Sequence, residues 1–333
     1  MKPVTIQDIA RAAQVSKSTV SRVLNGTAAV HPDKRKAVLE ATRRLGFTPN
    51  VVASSLARGR SMTIGVLTQL IGSPFYDTIS QGVISGLHDS GYSPIFVDGQ
   101  WQTGAEVDAI GALRGRRVDG LVLIGGGVPG DEIAVLCDGL PTVIVARQLS
   151  GEQHRCIFMD NVEGGYQATK HLIDHGHQRI AVIRGLEHHQ DAVDRFHGYQ
   201  QALREANISV DPGLVLQGDF SAESGVQAIE QLITQEKHFT AVFAANDLTA
   251  FGVRLALYRR GVRVPEDVSI VGFDDQLEAS YKTPPLTTVR QPAREMGEQA
   301  SRAILQMIKG EPFASQSVRG ELMIRQSVAK PQV

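Results

Sequence analysis

Cysteine and long apolar runs are both scarce in this chain of 333 residues. Cys137 and Cys156 are its two cysteines, and both stand in apolar segments. That excludes a disulfide framework and a thiolate metal site, so we expect buried thiols. No apolar run reaches the ~18 residues of a membrane span. The first residues, MKPVTIQDIAR, lack the apolar core of a signal peptide. We therefore expect a cytoplasmic protein.

The usual sequence signatures of catalysis and of cofactor binding are also missing. No nucleophile elbow, P-loop or pair of carboxylates stands in a recognisable context. Gly125, Gly126, Gly127 and Gly130 follow an apolar run, but their spacing is not the G-x-G-x-x-G of a dinucleotide loop. A nucleotide-dependent oxidoreductase therefore has little support. We predict a protein that is not an enzyme and has no cofactor.

A polar cluster in the second half of the chain resembles a set of metal ligands. It contains His188, His189, Asp191 and His197. The spacing fits no zinc motif, and the segment reads as a loop followed by the start of a helix. We predict no metal there.

Charge is divided unevenly along the chain although the net charge is only -1. Residues 1–60 hold 11 Lys/Arg and three Asp/Glu, which leaves 23 basic and 32 acidic residues for the rest. A basic head on an acidic body indicates that the head contacts a polyanion.

The head, residues 1–47, shows helical spacing in three short blocks. Thr5 with Asp8 forms a capping-box variant, Ser16 caps the second block, and Pro32 fits the first turn of the third, which Gly46 ends. The predicted inner faces are Ile6, Ile9, Ala10 and Ala13, then Val20, Val23 and Leu24, then Val38 and Leu39. These blocks predict a small all-α bundle.

The second block has the layout of a DNA-reading helix. A turn of about three residues separates it from the first block, which is the helix-turn-helix arrangement. Its outer face carries Lys17, Ser18, Ser21, Arg22 and Asn25. In that arrangement Arg22 could pair with guanine in the major groove. Thr5, Ser16 and Thr19 are predicted phosphate contacts. A plain helical bundle with a solvated face is the alternative, and its positive charge argues against it.

Residues 48–61 read as a linker and residues 62–333 as an α/β body. The linker has a cap at Asn50 and about two helical turns, which are marginal unless something packs on them. The body alternates apolar runs with amphipathic helices. Eight runs are predicted strands: MTIGVLT, SPIFVD, VDGLVLI, TVIVA, CIFMD, RIAVI, TAVFAAND and VSIVGFDD. Their length and order predict parallel sheets in two lobes joined by crossing strands, with a ligand cleft at the strand ends.

Motifs along nearly the whole chain resemble the LacI/GalR family of bacterial repressors. TIQDIA, VSKSTVSRVLN and GFTPN are the most specific of them. VDGLVL, HLIDHGHQRI, DRFHGY, NDLTAFG, VSIVGFDD and PPLTTVRQP resemble landmarks of the body. The resemblance implies a transcription repressor with a periplasmic-binding-protein-like body, acting as a homodimer on a pseudo-palindromic operator.

The resemblance also implies the role of the linker. Leu56 occupies the position that wedges between base pairs in the minor groove, and Ala53 and Ala57 are small enough for close approach. His31 and Asn50 complete the predicted DNA contacts.

For the cleft, the resemblance carries over nine effector-facing positions. They are Ser73, Phe75, Tyr76, Trp101, Arg195, Phe220, Asn246, Asp274 and Gln291. Forked donors, carboxylate and amide groups, and aromatic faces suit a sugar. Ala146 departs from the family, where many members have Asp or Asn, so the effector cannot be inferred from relatives. A free sugar, a sugar phosphate, a glycoside and a purine-like corepressor stay open, and so does a periplasmic sugar-binding transport protein.

Overall fold

The computed structural model describes residues 4–25, 29–47, 59–149, 151, 155–187 and 189–332. The chain divides into two compact units, Met1–Met62 and Thr63–Val333. Most of the predicted linker, residues 48–61, lies outside the described residues, so its boundaries stay a prediction.

The first unit contains three helices. They are α1 (Ile6–Ala12), α2 (Lys17–Asn25) and α3 (Pro32–Leu45). Thr5 and Asp8 form the predicted capping box, and the amide of Thr19 donates to Ser16 Oγ at 3.1 Å. Gly46 ends α3 in the left-handed conformation, at φ 62°. The capping signals in the sequence therefore set these helix ends.

A small apolar core holds the three helices together. Its buried members are Ile9, Ala10, Val20, Val38 and Ala41. Ile6 and Leu39 were expected inside, yet they are 40% and 39% exposed. Ile6 is the first residue of α1, and Leu39 follows the buried Val38 by one residue, about 100° further round α3. The predicted faces were therefore too wide.

The second unit contains two six-stranded sheets, which form two lobes. The strands are β1 (Thr63–Thr68), β2 (Ser93–Asp98), β3 (Gly120–Ile124), β4 (Thr142–Val145), β5 (Cys156–Met159), β6 (Ile180–Ile183), β7 (Val215–Leu216), β8 (Ala241–Ala244), β9 (Ser269–Asp274), β10 (Thr287–Arg290), β11 (Gln316–Val318) and β12 (Glu321–Met323). The first sheet has the order β11-β5-β4-β3-β1-β2, and the second has the order β12-β10-β9-β8-β6-β7. The pairings are parallel except for β10 with β12.

Helices cover these sheets and carry the chain between them. They are α4 (Pro74–Leu87), α5 (Thr103–Gly115), α6 (Gly130–Leu136), α7 (Asn161–Asp174), α8 (Gln190–Glu205), α9 (Ala222–Thr234), α10 (Asp247–Arg259) and α11 (Ala293–Ile308). The chain crosses between sheets after β5, after β10 and after β11. All eight predicted strands are present and the two-lobed α/β architecture is confirmed. Cys137 and Cys156 are both buried, as expected.

Close helix contacts fix the position of α8, which carries charged side chains of the cleft. A Cβ on Gly198 would lie 2.1 Å from the carbonyl oxygen of Val162, and one on Gly165 would lie 2.1 Å from that of Arg195. Because only glycine fits at both positions, α7 and α8 pack backbone to backbone.

Candidate functional site

The predicted DNA-reading face of α2 is open to solvent. Lys17, Ser18 and Arg22 are exposed, Ser21 is half-buried, and Val20 points into the core. Asn25 ends α2, but its side chain is not among those described. The helix therefore presents a basic and hydroxylic surface that suits contact with base edges and phosphates.

The predicted phosphate contacts stand at helix starts. Ser16 Oγ lies 2.8 Å from Ser18 Oγ and 2.9 Å from Thr19 Oγ1, and the Thr5 hydroxyl donates to Asp8 Oδ2 at 2.7 Å. His31, another predicted DNA contact, is exposed, and its Nδ1 lies 3.4 Å from Asp33 Oδ2. Asn50, Ala53, Leu56 and Ala57 lie outside the described residues, so their roles stay predictions.

A cavity of about 340 Å³ lies between the two lobes, where strands of both sheets end. It is called the cleft below. The described residues that line it are Leu70, Ser73, Phe75, Tyr76, Trp101, His189, Asp191, Arg195, Asp219, Phe220, Ser221, Ala222, Glu223, Asn246, Leu248 and Asp274. Its volume falls within the range of small-molecule sites, and it occupies the position expected at the carboxyl ends of parallel strands.

Eight of the nine predicted effector positions line this cleft. The exception is Gln291, which is buried and donates its Nε2 to Asp274 Oδ1 at 2.7 Å. Gln291 therefore orients a cleft residue instead of facing the cavity. Ala146 is buried at φ 56° and is not among the lining residues.

Arg195 and Asp274 form the polar floor of the cleft. Arg195 Nη1 lies 4.0 Å from Asp274 Oδ1, and both side chains are nearly buried. Arg195 also donates Nε to Asn161 Oδ1 at 2.9 Å and Nη1 to the carbonyl of Ala245 at 2.7 Å. The ring of Phe273 covers the guanidinium, with 3.8 Å between Cζ and the ring centroid. The guanidinium is therefore held in one orientation.

Asp274 sits on a strained backbone at the end of β9. Its φ is 111°, a value that residues with a side chain rarely adopt, and such strain costs about 1–3 kcal/mol. Asp247 helps to hold the turn, because it accepts from the amide of Gln276 at 2.8 Å and from Thr288 Oγ1 at 2.6 Å. Burial raises the pKa of Asp274 to about 6, and Arg195 opposes that rise.

Asn246 joins the cleft to a helix start. Its Oδ1 accepts from the amide of Thr249 at 2.9 Å and caps α10, while its Nδ2 donates to the carbonyl of Phe220 at 3.0 Å. Phe220 has φ 70°, and a Cβ on Gly185 would lie 2.1 Å from its ring. Asn246 and Gly185 therefore place the Phe220 ring in the cleft.

Aromatic rings line the same cleft as these polar groups. The ring centroids of Tyr76 and Trp101 are 5.3 Å apart, those of Trp101 and His189 are 4.0 Å apart, and those of His189 and Phe220 are 6.2 Å apart. All three pairs meet edge to face, which is a favoured geometry for aromatic side chains. A cleft that combines apolar ring faces with hydrogen-bonding groups suits a sugar, which has both apolar faces and hydroxyls.

His189 and Asp191 also line the cleft, although the sequence indicates only a loop and the start of a helix at these positions. A usable signal was present, because Asp191 and Arg195 are four residues apart and so share one face of α8. Burial raises the pKa of Asp191 to about 6, against the opposing effect of Arg195.

The glycine loop after β3 already holds a carboxylate of the chain itself. Glu106 is buried and accepts from the amides of Gly127 at 2.9 Å and Val128 at 3.2 Å. A Cβ on Gly126 would lie 2.6 Å from Glu106 Oε2. The amides that would cradle a phosphate therefore bind an internal anion.

The described residues provide neither a metal site nor a membrane-spanning helix. No group of three or more His, Cys, Asp or Glu side chains in the described ranges is arranged to hold a metal ion. No helix among those same residues is long and apolar enough to cross a membrane.

Comparison with known proteins assigns both parts of the chain. Residues 5–50 match the family described as bacterial regulatory proteins, lacI family, and residues 169–328 match the periplasmic binding protein-like domain. The chain is 34% identical over 330 residues to the HTH-type transcriptional repressor PurR of Haemophilus influenzae. This alignment covers 97% of this chain and 98% of that protein.

Solved structures agree with this assignment. The lac repressor dimer bound to operator and the anti-inducer ONPF has a TM-score of 0.89 at 30% identity, covering 98% of this chain and 100% of that one. A complex of the transcriptional regulator CelR with cellobiose has a TM-score of 0.74 at 35% identity, covering 97% and 99%. The chain therefore belongs to the lacI family of bacterial regulatory proteins, which are DNA-binding transcriptional regulators.

Proposed function

We propose that this protein is a repressor of carbohydrate-utilisation genes whose operator affinity is set by a sugar bound in the cleft. The observation that carries the proposal is the cleft itself, which is lined both by aromatic rings and by the polar groups of Arg195 and Asp274. The cellobiose complex of a similar regulator supports a sugar as the effector.

The two lobes supply the conformational element of this mechanism. Ser73, Tyr76 and Trp101 come from the lobe of the first sheet, whereas Arg195 and Asp274 come from the lobe of the second. A sugar that contacts both lobes favours the arrangement in which they are close together. Operator affinity then follows the population of the arrangement that can bind DNA. In this mechanism the predicted linker couples the arrangement of the lobes to the head.

The proposed working unit is a homodimer on a pseudo-palindromic operator. Exposed apolar side chains on the second lobe suit burial against a second copy. They are Leu255, Tyr258, Leu277 and Tyr281, and we infer that they form one apolar patch. Arg254 Nη1 donates to the carbonyl of Pro284 at 2.6 Å, which ties α10 to the segment that carries Tyr281. Because it reads chromosomal DNA, we place the protein in the cytoplasm, at its operator when bound.

The proposal is tested by operator binding in the presence of candidate effectors. An operator is first selected from random duplexes by the full-length protein, and its affinity is then measured with neutral sugars and with purines. A neutral sugar is expected to change operator affinity by roughly five- to 150-fold, the usual range of allosteric coupling. If operator affinity responds to purines and to no sugar, the effector is a purine-like corepressor instead of a sugar. Failure to select any operator would contradict the proposal as a whole.

A further inference from the structure

The charged side chains that line the cleft are mostly acidic. The carboxylates are those of Asp191, Asp219, Glu223 and Asp274. Among the described lining residues, the basic groups are the guanidinium of Arg195 and the imidazole of His189. Arg147 acts electrostatically on Asp191 but does not line the cleft. The carboxylates outnumber the cations even when Arg147 is included.

The charge of Arg195 is already balanced within the chain. Two of its nitrogens donate, to Asn161 and to the carbonyl of Ala245, and Asp274 lies 4.0 Å away as its counter-ion. The second N–H of Nη1 and the two N–H groups of Nη2 remain, and they can donate to sugar hydroxyls. A phosphate or carboxylate ligand would have to compete with Asp274 for the one positive charge.

Asp191 presents an acceptor to the cleft. It lies in the first turn of α8, and no described residue donates a hydrogen bond to its carboxylate. With a pKa of about 6 it is mainly ionised at neutral pH. Asp191 is half-buried, and a carboxylate in such a place without a donor is costly unless a ligand supplies the missing hydrogen bonds. Sugar hydroxyls can donate them, whereas an anionic group would add a like charge.

We propose that the cleft selects an uncharged sugar over its phosphorylated or acidic counterpart, and that Asp191 enforces this choice. The inference rests on the proposed function and narrows it, because it removes sugar phosphates from the effector classes that the sequence leaves open. Asp191 acts twice, by accepting hydroxyl donors and by repelling anions.

The sole tryptophan of the chain gives a direct readout. Trp101 lines the cleft beside Tyr76 and His189, so a ligand that enters changes its surroundings. The full-length protein is titrated at pH 7.5 with matched pairs: glucose and glucose 6-phosphate, ribose and ribose 5-phosphate, trehalose and trehalose 6-phosphate, sucrose and sucrose 6-phosphate. The neutral member of the pair that binds is expected to bind roughly tenfold or more tightly than its phosphate.

Two matched variants test whether Asp191 causes the preference for neutral sugars. Asp191→Asn keeps the shape of the side chain and removes its charge, so the gap between neutral and phosphorylated sugar is expected to shrink roughly tenfold. Asp194→Asn removes the same charge one turn along α8. Asp194 lies outside the lining of the cleft and already accepts from Gln190 at 2.7 Å, so the gap is expected to persist. An equal effect of both variants would overturn the role of Asp191.

The outcomes separate the inference from the proposed function. If a sugar phosphate binds as tightly as its neutral partner and also alters operator affinity, the inference is overturned and the repressor remains. If no neutral sugar changes Trp101 fluorescence or operator affinity, the sugar effector and the inference both fall. The circular dichroism spectrum of Asp191→Asn must match that of the unchanged protein, which shows that the variant is folded.

Discussion

The indole of Trp101 and the imidazole of His189 meet edge to face across the cleft, with 4.0 Å between their ring centroids. Trp101 follows β2 of the first sheet, and His189 precedes α8 beside the second sheet. The pair therefore joins the two lobes at the cleft, and it stabilises the arrangement in which they are close together.

His189→Ala is expected to weaken sugar binding by roughly two- to tenfold, since aromatic pairs contribute about 0.5–1.5 kcal/mol. Trp101 emission should change in the ligand-free protein as well. Fluorescence titration measures both effects. His197→Ala serves as the control, because His197 is exposed on α8, the helix that His189 precedes, and does not line the cleft. Equal losses in the two variants would show that the cross-lobe contact has no such role.

Asp191 is expected to lower stability at neutral pH. Burial raises the pKa of Asp191 from 3.8 to about 6 in the folded chain. The contribution of Asp191 to the free energy of unfolding is therefore most favourable below pH 4, and it is lost as pH rises through 6. Arg195 and Arg147 oppose that rise, while Asp194 and Asp274 add to it.

Asp191→Asn should therefore raise the free energy of unfolding above pH 6, by up to about 3 kcal/mol. The gain should disappear near pH 4. Denaturant unfolding of the body at pH 4, 5, 6 and 8 measures it. A gain that is constant across this range would show that the charge of Asp191 is not its cause.

Gly185 is expected to be essential for the cleft although it bears no side chain. The methyl group of Gly185→Ala would lie 2.1 Å from the Phe220 ring, so the ring must leave its place in the cleft. Sugar affinity is expected to fall roughly tenfold, in line with the cost of overpacking. Gly104→Ala is the matched control, because a Cβ there meets nothing within 4 Å. Calorimetric titration compares the two, and unchanged affinity in Gly185→Ala would contradict the prediction.

Tyr281→Asp is expected to separate the proposed dimer into monomers and to weaken operator binding, because a charge would be buried in the apolar patch. Val135→Asp makes the same kind of change at a residue with the same exposed fraction, 76%, on α6 in the other lobe. Sedimentation at micromolar concentration gives the oligomeric state. If Val135→Asp dissociates the protein and Tyr281→Asp does not, the interface has been assigned to the wrong surface.

The sequence predicts the strands well where apolar runs are long, because a strand buried on both faces needs such a run. It does not predict β7 or β10–β12, which hold only one or two apolar residues each. Runs that short carry no periodicity, and these strands form because tertiary pairing brings them to a sheet.

The cleft was predictable mainly through family resemblance. Phe220 and Asp274 reach it on left-handed backbone, which no local pattern indicates. His189 reaches it through contact with Trp101, a residue that is distant in sequence. Spacing on α8 could have identified Asp191, because Arg195 lies four residues away on the same face.

In the proposed mechanism the cleft binds sugar, the helix α2 reads DNA, and allostery links the two sites. One comparison of two variants tests this division most directly. Arg22→Ala and Asp274→Asn are each measured for operator affinity and for sugar binding. Arg22→Ala should lose discrimination between the operator and random DNA by about 1–3 kcal/mol while keeping sugar affinity, because Arg22 is exposed on α2. Asp274→Asn should keep operator affinity and lose its response to sugar. If each variant lost both activities, the division into reader and sensor would be contradicted.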